Sequence, residues 1–413
     1  MAAARLQLQG CGTFLAVSLK ADICLGRSIG SFGLAPDLSC KALLRRRGET
    51  KLTSVTCAPM SAFRSNQLAT LRSPHYYSAT YPRRGAIVTN KFCTRFGTNN
   101  PVVLAPVGGV SSPELVAAVS NAGGLGIAPV WYLDPDGLKA EVRRIRSLTD
   151  KPFGVNLNMD FRSEAQLEAC FEEGVEIISL FWGDTGDFVP RAKAAGCQVI
   201  ITASTAEKAR AAVALGADAI CAQGYEAGGH VEGTVSTIAL VPAVVDAVGD
   251  VPVIAAGGIA DGRGLAAALA LGASAAWIGT RFLAAEEAPV HPTYRAQLLA
   301  ASEDDTDRYD DLYDLSWPNA PHRALKNATS KMWEAAGKPA LGQRPGEGEV
   351  LARRQDGSGI VRYTSASPNA ALEGDIEGLS MWSGQGVGLV TKIQPAAEIV
   401  AEIVDQARAI VTF

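Results

Sequence analysis

The feature that most constrains the fold of this chain is an alternation of short apolar runs with longer amphipathic segments. The alternation begins near residue 101 and repeats eight times. The apolar runs cover residues 101–106, 125–130, 153–159, 177–182, 198–204, 219–224, 252–258 and 275–283. Short apolar runs bounded by glycine, proline or polar residues are typical of buried strands. The sequence therefore predicts eight strands.

The segments between these runs have helical periodicity. Examples are residues 112–121, 134–148, 163–173, 205–215, 238–248 and 262–271. Strands that alternate with helices form βαβ units, and such units build a parallel sheet. Eight units in about 190 residues is the number that a (β/α)8 barrel contains. We therefore predict an α/β protein with a (β/α)8 TIM barrel over residues 89–290. A doubly wound open sheet is the structural alternative.

The alternation stops after residue 290. Residues 291–375 combine short helical stretches with loops rich in proline and glycine, and we expect a mostly helical excursion beside the mouth of the barrel. Six aspartates lie within residues 302–315, and we interpret them as a solvated acidic helix face because their spacing is not that of a calcium-binding loop. Within the last segment, 376–413, apolar residues recur at helical spacing from 394 to 411, which predicts a helix that packs back on the barrel.

Residues 1–88 differ from the rest of the chain in charge. They hold 12 of the 38 lysines and arginines but only 3 of the 42 aspartates and glutamates. A leader that is rich in arginine and serine and poor in acids is typical of an organelle transit peptide. We expect a disordered leader and import into mitochondria. The alternatives are a plastid address and a cytoplasmic protein whose translation begins at Met60.

The remaining residues carry 26 basic and 39 acidic side chains. An acidic body argues against binding to the phosphate backbone of nucleic acids. No segment reaches the roughly 20 apolar residues that a membrane-spanning helix needs, so we expect no membrane insertion. The eight cysteines include no C-x-x-C pair, and we expect neither a metal site nor a disulfide framework.

In a barrel of this kind the functional residues lie at the C-terminal ends of the strands. Glycines follow the last two predicted strands, as Gly257-Gly258 and as Gly279-Thr280. Backbone N–H groups in such turns, together with a helix N-terminus, bind a phosphate dianion favourably. We predict a phosphate site at these two turns, with Thr280 donating its hydroxyl. The alternative is that the glycines only form tight turns.

A phosphate at these turns leaves the barrel mouth free for a planar head group. Small residues in the stretch 105–109 would let such a group lie flat against the backbone. The side-chain amides of Asn156 and Gln223 would reach its polar edge. Flavin mononucleotide (FMN) meets all these requirements. Buried amides at strand ends also commonly hydrogen-bond to the backbone, so each amide alone has a structural interpretation as well.

His230 is the only histidine that the sequence places at the end of a predicted barrel strand. It closes the stretch AQGYEAGGH, residues 222–230, which follows the sixth strand. An imidazole titrates near neutral pH, so it can accept a proton from carbon or hydrogen-bond to an anion. We predict that His230 is the catalytic residue. Glu226 in the same stretch is a second candidate base, for which a structural role is the simpler interpretation.

Several motifs stand in a fixed order along the chain. They are APVGGVSSPEL (105–115), NAGGLG (121–126), GVN (154–156), AQGYEAGGH (222–230), AGGI (256–259), IGTRF (278–282) and WSGQ (382–385). Each is weak alone, but the set resembles the nitronate monooxygenase family, formerly called 2-nitropropane dioxygenase. The resemblance implies an FMN-dependent barrel that oxidises alkyl nitronates, such as propionate 3-nitronate, with molecular oxygen. The products would be a carbonyl compound and nitrite. The partners would be a small nitronate or nitroalkane and O2, and the sequence leaves open whether the chain forms an oligomer.

The resemblance also implies roles for individual residues. His230 would be catalytic, and the cofactor would contact Asn156, Gln223, Gly228, Gly258, Trp277, Ile278, Gly279 and Thr280. The strand ends and the glycine-rich stretches add Ala105, Pro106, Val107, Gly229 and Gly257 to the predicted cofactor-binding residues. Two positions depart from the family pattern. Val107 stands where the family typically has Met, and Trp277 stands where Gln is frequent. We therefore carry over only a backbone contact for Trp277.

Two other functions remain open at this point. An NAD(P)H-dependent flavin reductase, of the enoyl-acyl-carrier-protein or quinone reductase type, would use the same barrel and the same Gly-Gly-His motif. A barrel that binds FMN or another phosphate compound without turnover is the second alternative.

Overall fold

The computed structural model describes residues 41–46, 49–54 and 90–413, which belong to two compact units. In the first unit, β1 (Lys41–Arg46) pairs with β2 (Glu49–Ser54) in antiparallel register. The rest of the expected leader, including Met60, lies outside the described residues. The second unit contains the elements that follow.

Eight parallel strands form the centre of the second unit. They are β3 (Val102–Leu104), β4 (Gly126–Pro129), β5 (Phe153–Asn158), β6 (Ile177–Phe181), β7 (Gln198–Ala203), β8 (Ala219–Gln223), β10 (Val253–Ala256) and β11 (Ala275–Ile278), while the short β9 (Gly229–His230) lies outside this sheet. The order is β3-β11-β10-β8-β7-β6-β5-β4. The ends of this order also meet, because Leu104 N donates to Leu125 O over 2.9 Å and Leu125 N donates to Val102 O over 2.9 Å. The sheet therefore closes into the predicted (β/α)8 barrel, and an open sheet is excluded.

Eight helices precede, connect or follow these strands. They are α1 (Lys91–Phe96), α2 (Pro113–Asn121), α3 (Pro135–Leu148), α4 (Glu164–Glu172), α5 (Phe188–Ala194), α6 (Ala206–Leu215), α7 (Thr237–Val248) and α8 (Gly262–Ala270). Several begin at a residue whose side-chain oxygen accepts a hydrogen bond from the first helical turn. Ser112, Thr205 and Asp261 are examples. Such caps satisfy N–H groups that have no partner within the helix, so the local sequence sets where these helices begin.

The barrel has two buried layers, because side chains alternate along each strand. In β6, for example, Ile177 belongs to a cluster inside the barrel, while Ile178 belongs to the cluster between the strands and the outer helices. Phe92 and Phe96 of α1 pack on the interior cluster. Both layers are apolar, so each strand consists of nearly consecutive apolar residues in the sequence.

The segment after the barrel differs from the mostly helical excursion that we expected. It contains α9 (Pro292–Ala300), β12 (Thr306–Tyr309), β13 (His322–Leu325), α10 (Ala328–Ala335), β14 (Val350–Arg353), β15 (Gly359–Val361) and β16 (Glu373–Gly374). The acidic stretch that we interpreted as a helix face forms a turn and β12. Strand β12 pairs with β13, which in turn pairs with β9. This pairing joins residues that are distant in sequence, so no local period reveals it.

The predicted C-terminal helix is confirmed as α11 (Ala396–Arg408). It packs against α8 and α2, and Gly262 N donates to Gln406 Oε1 over 3.0 Å. A Cβ at Gly262 would lie 2.3 Å from Cβ of Gln406, so the glycine permits this close packing. Within the described residues, no helix has the length and apolar character to cross a membrane.

Candidate functional site

A cavity of about 620 Å³ opens at the C-terminal ends of the barrel strands, beneath the segment 291–375. It is lined by His230 and by the predicted cofactor residues Ala105, Pro106, Val107, Asn156, Gln223, Gly228, Gly229, Gly257, Gly258, Trp277, Gly279 and Thr280. Ile278 does not line it. The side chain of Ile278 is buried in the layer between the strands and the outer helices, since it alternates with Trp277, which points into the barrel. The prediction of a cofactor contact at Ile278 is therefore not supported by the geometry.

The turns predicted to hold a phosphate lie on one side of this cavity. Gly257 and Gly258 have φ angles of +111° and +72°, which residues other than glycine rarely adopt. Their N–H groups donate no hydrogen bond to another described residue. The hydroxyl oxygen of Thr280 accepts from Gly384 N over 3.0 Å, so its own proton remains available to donate. Two N–H groups and one hydroxyl are thus free to bind an anion.

A third backbone segment, the WSGQ motif, completes this side of the cavity. A Cβ at Gly228 would lie 2.5 Å from Gly384 N, and a Cβ at Gly386 would lie 2.9 Å from Gly258 O. The chain segments therefore meet backbone to backbone, with no room for side chains between them. The sequence motifs around residues 228, 258 and 384 are explained by one shared contact, which the sequence alone did not show.

The two predicted amides use their N–H groups within the protein. Asn156 Nδ2 donates to Ser179 Oγ over 3.1 Å and to Ser179 O over 3.3 Å. Gln223 Nε2 donates to His230 O over 3.0 Å. Neither amide oxygen accepts a hydrogen bond from a described residue. Both residues line the cavity, so each amide supports the backbone or a neighbour at one end and offers an acceptor to a ligand at the other.

His230 is held between aromatic side chains. Its ring centroid lies 4.0 Å from that of Trp317 and 5.2 Å from that of Trp382. Its backbone is fixed by the pairing of β9 with β13, which places His230 opposite His322. The Nε2 atom is buried and has no hydrogen-bond partner among the described residues. A buried nitrogen without a partner is uncommon in folded proteins, and this one belongs to a residue that lines the cavity.

The surroundings keep both histidines neutral. Burial, and to a smaller extent the nearby His322, hold the pKa of His230 well below its ordinary value. Burial also lowers the pKa of His322 to about 4. His322 Nε2 accepts from Tyr313 N over 3.1 Å, and its Nδ1 lies 2.9 Å from Ala320 O, to which it donates in this tautomer. His322 thus supports the fold, whereas His230 faces the cavity.

Three tryptophans around His230 were not predicted as site residues. Trp317 donates from Nε1 to Asp160 Oδ2 over 3.0 Å, and Trp182 lies 5.2 Å from Trp317 between ring centroids. Trp182 has a φ angle of +65°, which is uncommon for a bulky residue. Backbone strain of this kind is often found at functional sites. The only sequence signal was the position of Trp182 at a strand end and of Trp382 in a family motif.

Other residues clarify the sequence-based interpretations. Both oxygens of Glu226 accept hydrogen bonds from Thr237 N, and Oε2 also accepts from Thr237 Oγ1 over 2.9 Å. Glu226 therefore stabilises the start of α7, in agreement with the structural role that we considered the simpler interpretation of this residue. Trp277 contributes its side chain to the barrel interior and lines the cavity. Val107 packs against an aromatic cluster that includes Trp382.

The cavity offers little else that is reactive. Cys221 lies at its floor, and burial raises the pKa of its thiol to about 12, so it is not a thiolate at neutral pH. Within residues 90–413 no group of three or more histidine, cysteine or acidic side chains could hold a metal ion.

Residues 90–406 match the family model described as "Nitronate monooxygenase". The chain belongs to the nitronate monooxygenase family. A nitronate monooxygenase from Pseudomonas aeruginosa is 32% identical over 370 residues, which cover 78% of this chain and 100% of that protein. The members of this family are flavoproteins, and this chain is an oxidoreductase.

Two further relatives show how widely the scaffold is used. The chain is 40% identical over 243 residues to a (3aS,4S,5R,7aS)-5-hydroxy-7a-methyl-1-oxo-octahydro-1H-indene-4-carboxyl-CoA dehydrogenase from Rhodococcus jostii, covering 58% of this chain and 67% of that enzyme. The solved structure of FabK from Thermotoga maritima superposes with a TM-score of 0.65 at 33% identity, covering 78% of this chain and 97% of FabK. Membership of the family therefore establishes the fold, but it does not identify the substrate.

Proposed function

We propose that this protein binds FMN and oxidises small alkyl nitronates, such as propionate 3-nitronate, with molecular oxygen. In the balanced reaction, two nitronate anions and one O2 give two carbonyl compounds and two nitrite anions. The C=N bond of each nitronate breaks, a C=O bond forms with one oxygen atom from O2, and the oxidised carbon supplies the electrons that reduce O2. The bound flavin would supply the one-electron chemistry that lets an organic anion react with O2.

The observation that carries this proposal is the imidazole of His230, which lines the cavity and whose ring nitrogens have no hydrogen-bond partner among the described residues. A neutral imidazole with a free ring nitrogen can donate a hydrogen bond to an anionic oxygen in one tautomer. A nitronate carries its negative charge on such oxygens. Because the cavity wall around His230 is largely aromatic, this hydrogen bond is stronger than it would be in water.

The residues of the cavity fit FMN. The N–H groups of Gly257 and Gly258 and the hydroxyl of Thr280 would hold the phosphate. The oxygens of Asn156 and Gln223 would accept hydrogen bonds from the edge of the ring system. The close backbone contacts at Gly228 leave no side chain in the way of a flat ligand.

The low pKa of His230 favours a nitronate over the neutral nitroalkane. A nitroalkane must first lose a proton from carbon, and an imidazole whose pKa is lowered is a weak base. A nitronate has already lost this proton, so His230 only has to orient it and stabilise its charge. Trp317 and Trp382 hold the ring in place for this purpose.

The second candidate function is an NAD(P)H-dependent reductase on the same barrel. The observation that favours it is the 40% identity to a dehydrogenase over 243 residues. The two functions share the FMN site and differ in the compound that reduces it.

The experiment is an anaerobic titration of the purified full chain. A flavin absorbance spectrum is expected, and propionate 3-nitronate should bleach it while NADH and NADPH do not. Rapid bleaching by a pyridine nucleotide, without bleaching by nitronate, would move the protein to the reductase class. A protein without flavin that takes none up on reconstitution would contradict both candidates.

The role of His230 is tested by His230→Asn, which removes the imidazole and keeps a polar group. We expect kcat/KM for nitronate to fall about 100-fold or more, while the flavin content stays unchanged. His291→Asn is the matched control, because His291 caps α9 and does not line the cavity. Full activity of the His230→Asn variant would show that His230 has no role in catalysis.

A further inference from the structure

The cavity wall carries one charged side chain that the proposed function does not use. Among the described residues that line the cavity, Arg354 is the only lysine, arginine, aspartate or glutamate. It follows β14 and is exposed to solvent, whereas Nε2 of His230 is buried. A cation therefore stands at the opening of the cavity, and the proposed reaction centre lies deeper.

The turn between β14 and β15 fixes the backbone of Arg354. Arg354 N donates to Ser358 O over 2.9 Å, and Gly357 N donates to Arg354 O over 2.9 Å. Asp356, the acid of this turn, accepts at Oδ1 from Ser358 N over 2.9 Å and from Ser358 Oγ over 2.6 Å. The turn is thus closed by its own hydrogen bonds.

The guanidinium of Arg354 has spare hydrogen-bonding capacity. Within the described part of the chain it makes one hydrogen bond, from Nη1 to Ser358 Oγ over 3.3 Å, and no carboxylate lies within ion-pair distance of it. Asp356 contributes a negative charge nearby without forming an ion pair with it. Four of the five N–H donors of the guanidinium are therefore free for a ligand.

Neutral donors line the cavity together with Arg354. They include Ser367 and Asn369. Asn369 Oδ1 accepts from Ala371 N over 3.0 Å, so its Nδ2 group is left to donate. A cation, a hydroxyl and an amide, with no acidic side chain on the described cavity wall, form a set of groups that suits a carboxylate.

We propose that Arg354 is a specificity-determining residue that binds an anionic tail of the substrate at the cavity mouth. This inference rests on the function proposed above. The contact with Arg354 makes the enzyme selective for nitronates that carry a carboxylate at the end opposite the nitronate group. The exposed position of Arg354 limits the cost of desolvating the two charges, while the charge-assisted hydrogen bonds are kept.

The experiment compares substrates with and without the carboxylate. Propionate 3-nitronate and butyrate 4-nitronate are measured against the nitronates of 1-nitropropane and 1-nitrobutane, with Arg354→Gln, Arg354→Lys and wild type. We expect Arg354→Gln to raise KM for the nitronates with a carboxylate at least about tenfold and to leave KM for the nitronates without one within about twofold. Arg354→Lys should restore part of the difference, because lysine keeps the charge but not the planar pair of donors. Added salt should raise KM for the carboxylates in wild type and in Arg354→Lys, but not in Arg354→Gln.

The matched control is Arg353→Gln. Arg353 is the neighbouring residue at the end of β14, it is also exposed, and it does not line the cavity. The control removes the same charge from the same hairpin and should behave as wild type. An equal change for both substrate types in Arg354→Gln, or an equal effect in the control, would overturn the inference.

Two further readouts separate this inference from the proposed function. A loss of FMN affinity in Arg354→Gln would show that Arg354 serves the cofactor, which would overturn the inference. Binding of 3-nitropropionate and of 1-nitropropane, followed by the change in flavin absorbance, needs no turnover. If wild type oxidises no nitronate, the proposed function fails, and a selective loss of 3-nitropropionate binding in Arg354→Gln would still support the role of Arg354.

Discussion

Acid should destabilise this fold through His322. The side chain is fully buried, and burial lowers its pKa from the ordinary 6.5 to about 4. Below pH 6.5 the unfolded chain therefore binds a proton at this histidine that the folded chain does not bind. The free energy of unfolding is not lowered by His322 above this pH, and it falls as the pH decreases toward 4. The two pKa values correspond to a loss of about 3 kcal/mol at pH 4 relative to pH 7.

The perturbation is His322→Gln, with His322→Asn as a second variant. Each removes the titrating ring and leaves an amide that can replace one of its two backbone hydrogen bonds, to Tyr313 N or to Ala320 O. We expect a loss of about 2 kcal/mol at pH 7, from packing and the missing hydrogen bond. Between pH 7 and pH 4, the variants should lose about 3 kcal/mol less than wild type.

The assay is urea unfolding of the apoprotein, followed by tryptophan fluorescence at pH 7, 6, 5 and 4. The apoprotein is used because a bound cofactor adds its own pH dependence. His291→Asn removes a histidine elsewhere in the fold, and the difference between the two histidine variants isolates the buried site. An equal decrease in the free energy of unfolding between pH 7 and pH 4, in wild type and in both His322 variants, would refute the reasoning.

Two further substitutions test the cofactor site and the opposite end of the barrel. Gly257→Ala adds a Cβ at a φ of +111° and 2.8 Å from Thr237 Oγ1, so it should lower the melting temperature and abolish FMN uptake. Gly249→Ala is its control, because Gly249 also has a positive φ but nothing lies near its Cβ, and flavin content should stay normal. Asp218→Asn breaks a buried carboxylate that accepts from Lys193 Nζ over 2.6 Å and from Val199 N over 2.7 Å. It should cost about 2–4 kcal/mol in urea unfolding. Its flavin spectrum should be normal, because Asp218 immediately precedes β8, and a loss of flavin would contradict this placement.

Much of the fold could be predicted because the barrel is encoded locally. Each strand of the barrel is apolar on both faces and each connecting helix on one, so the alternation of periods is visible in a short window of sequence. The acidic stretch near residue 306 shows the limit of this approach. It forms β12 only because β13 lies beside it, and this pairing depends on the fold rather than on local propensity.

The site was partly predictable for a related reason. Residues at strand ends meet at one edge of a parallel barrel, so the sequence was sufficient to place Asn156, Gln223 and Gly258 together. Trp317 and Arg354 could not, because both lie in irregular segments after the barrel and reach the cavity only in the folded chain.

The sequence by itself determined the barrel, the glycine turns after β10 and β11, and the position of His230 at a strand end. Only the tertiary structure decided the chemical state of that histidine. Its neutral ring results from burial beneath Trp317 and Trp382, and from the strand pairing that sets it opposite His322. Strand positions follow from the local pattern of apolar residues, whereas a pKa depends on everything that excludes water from the group, including segments about 90 to 150 residues away in sequence.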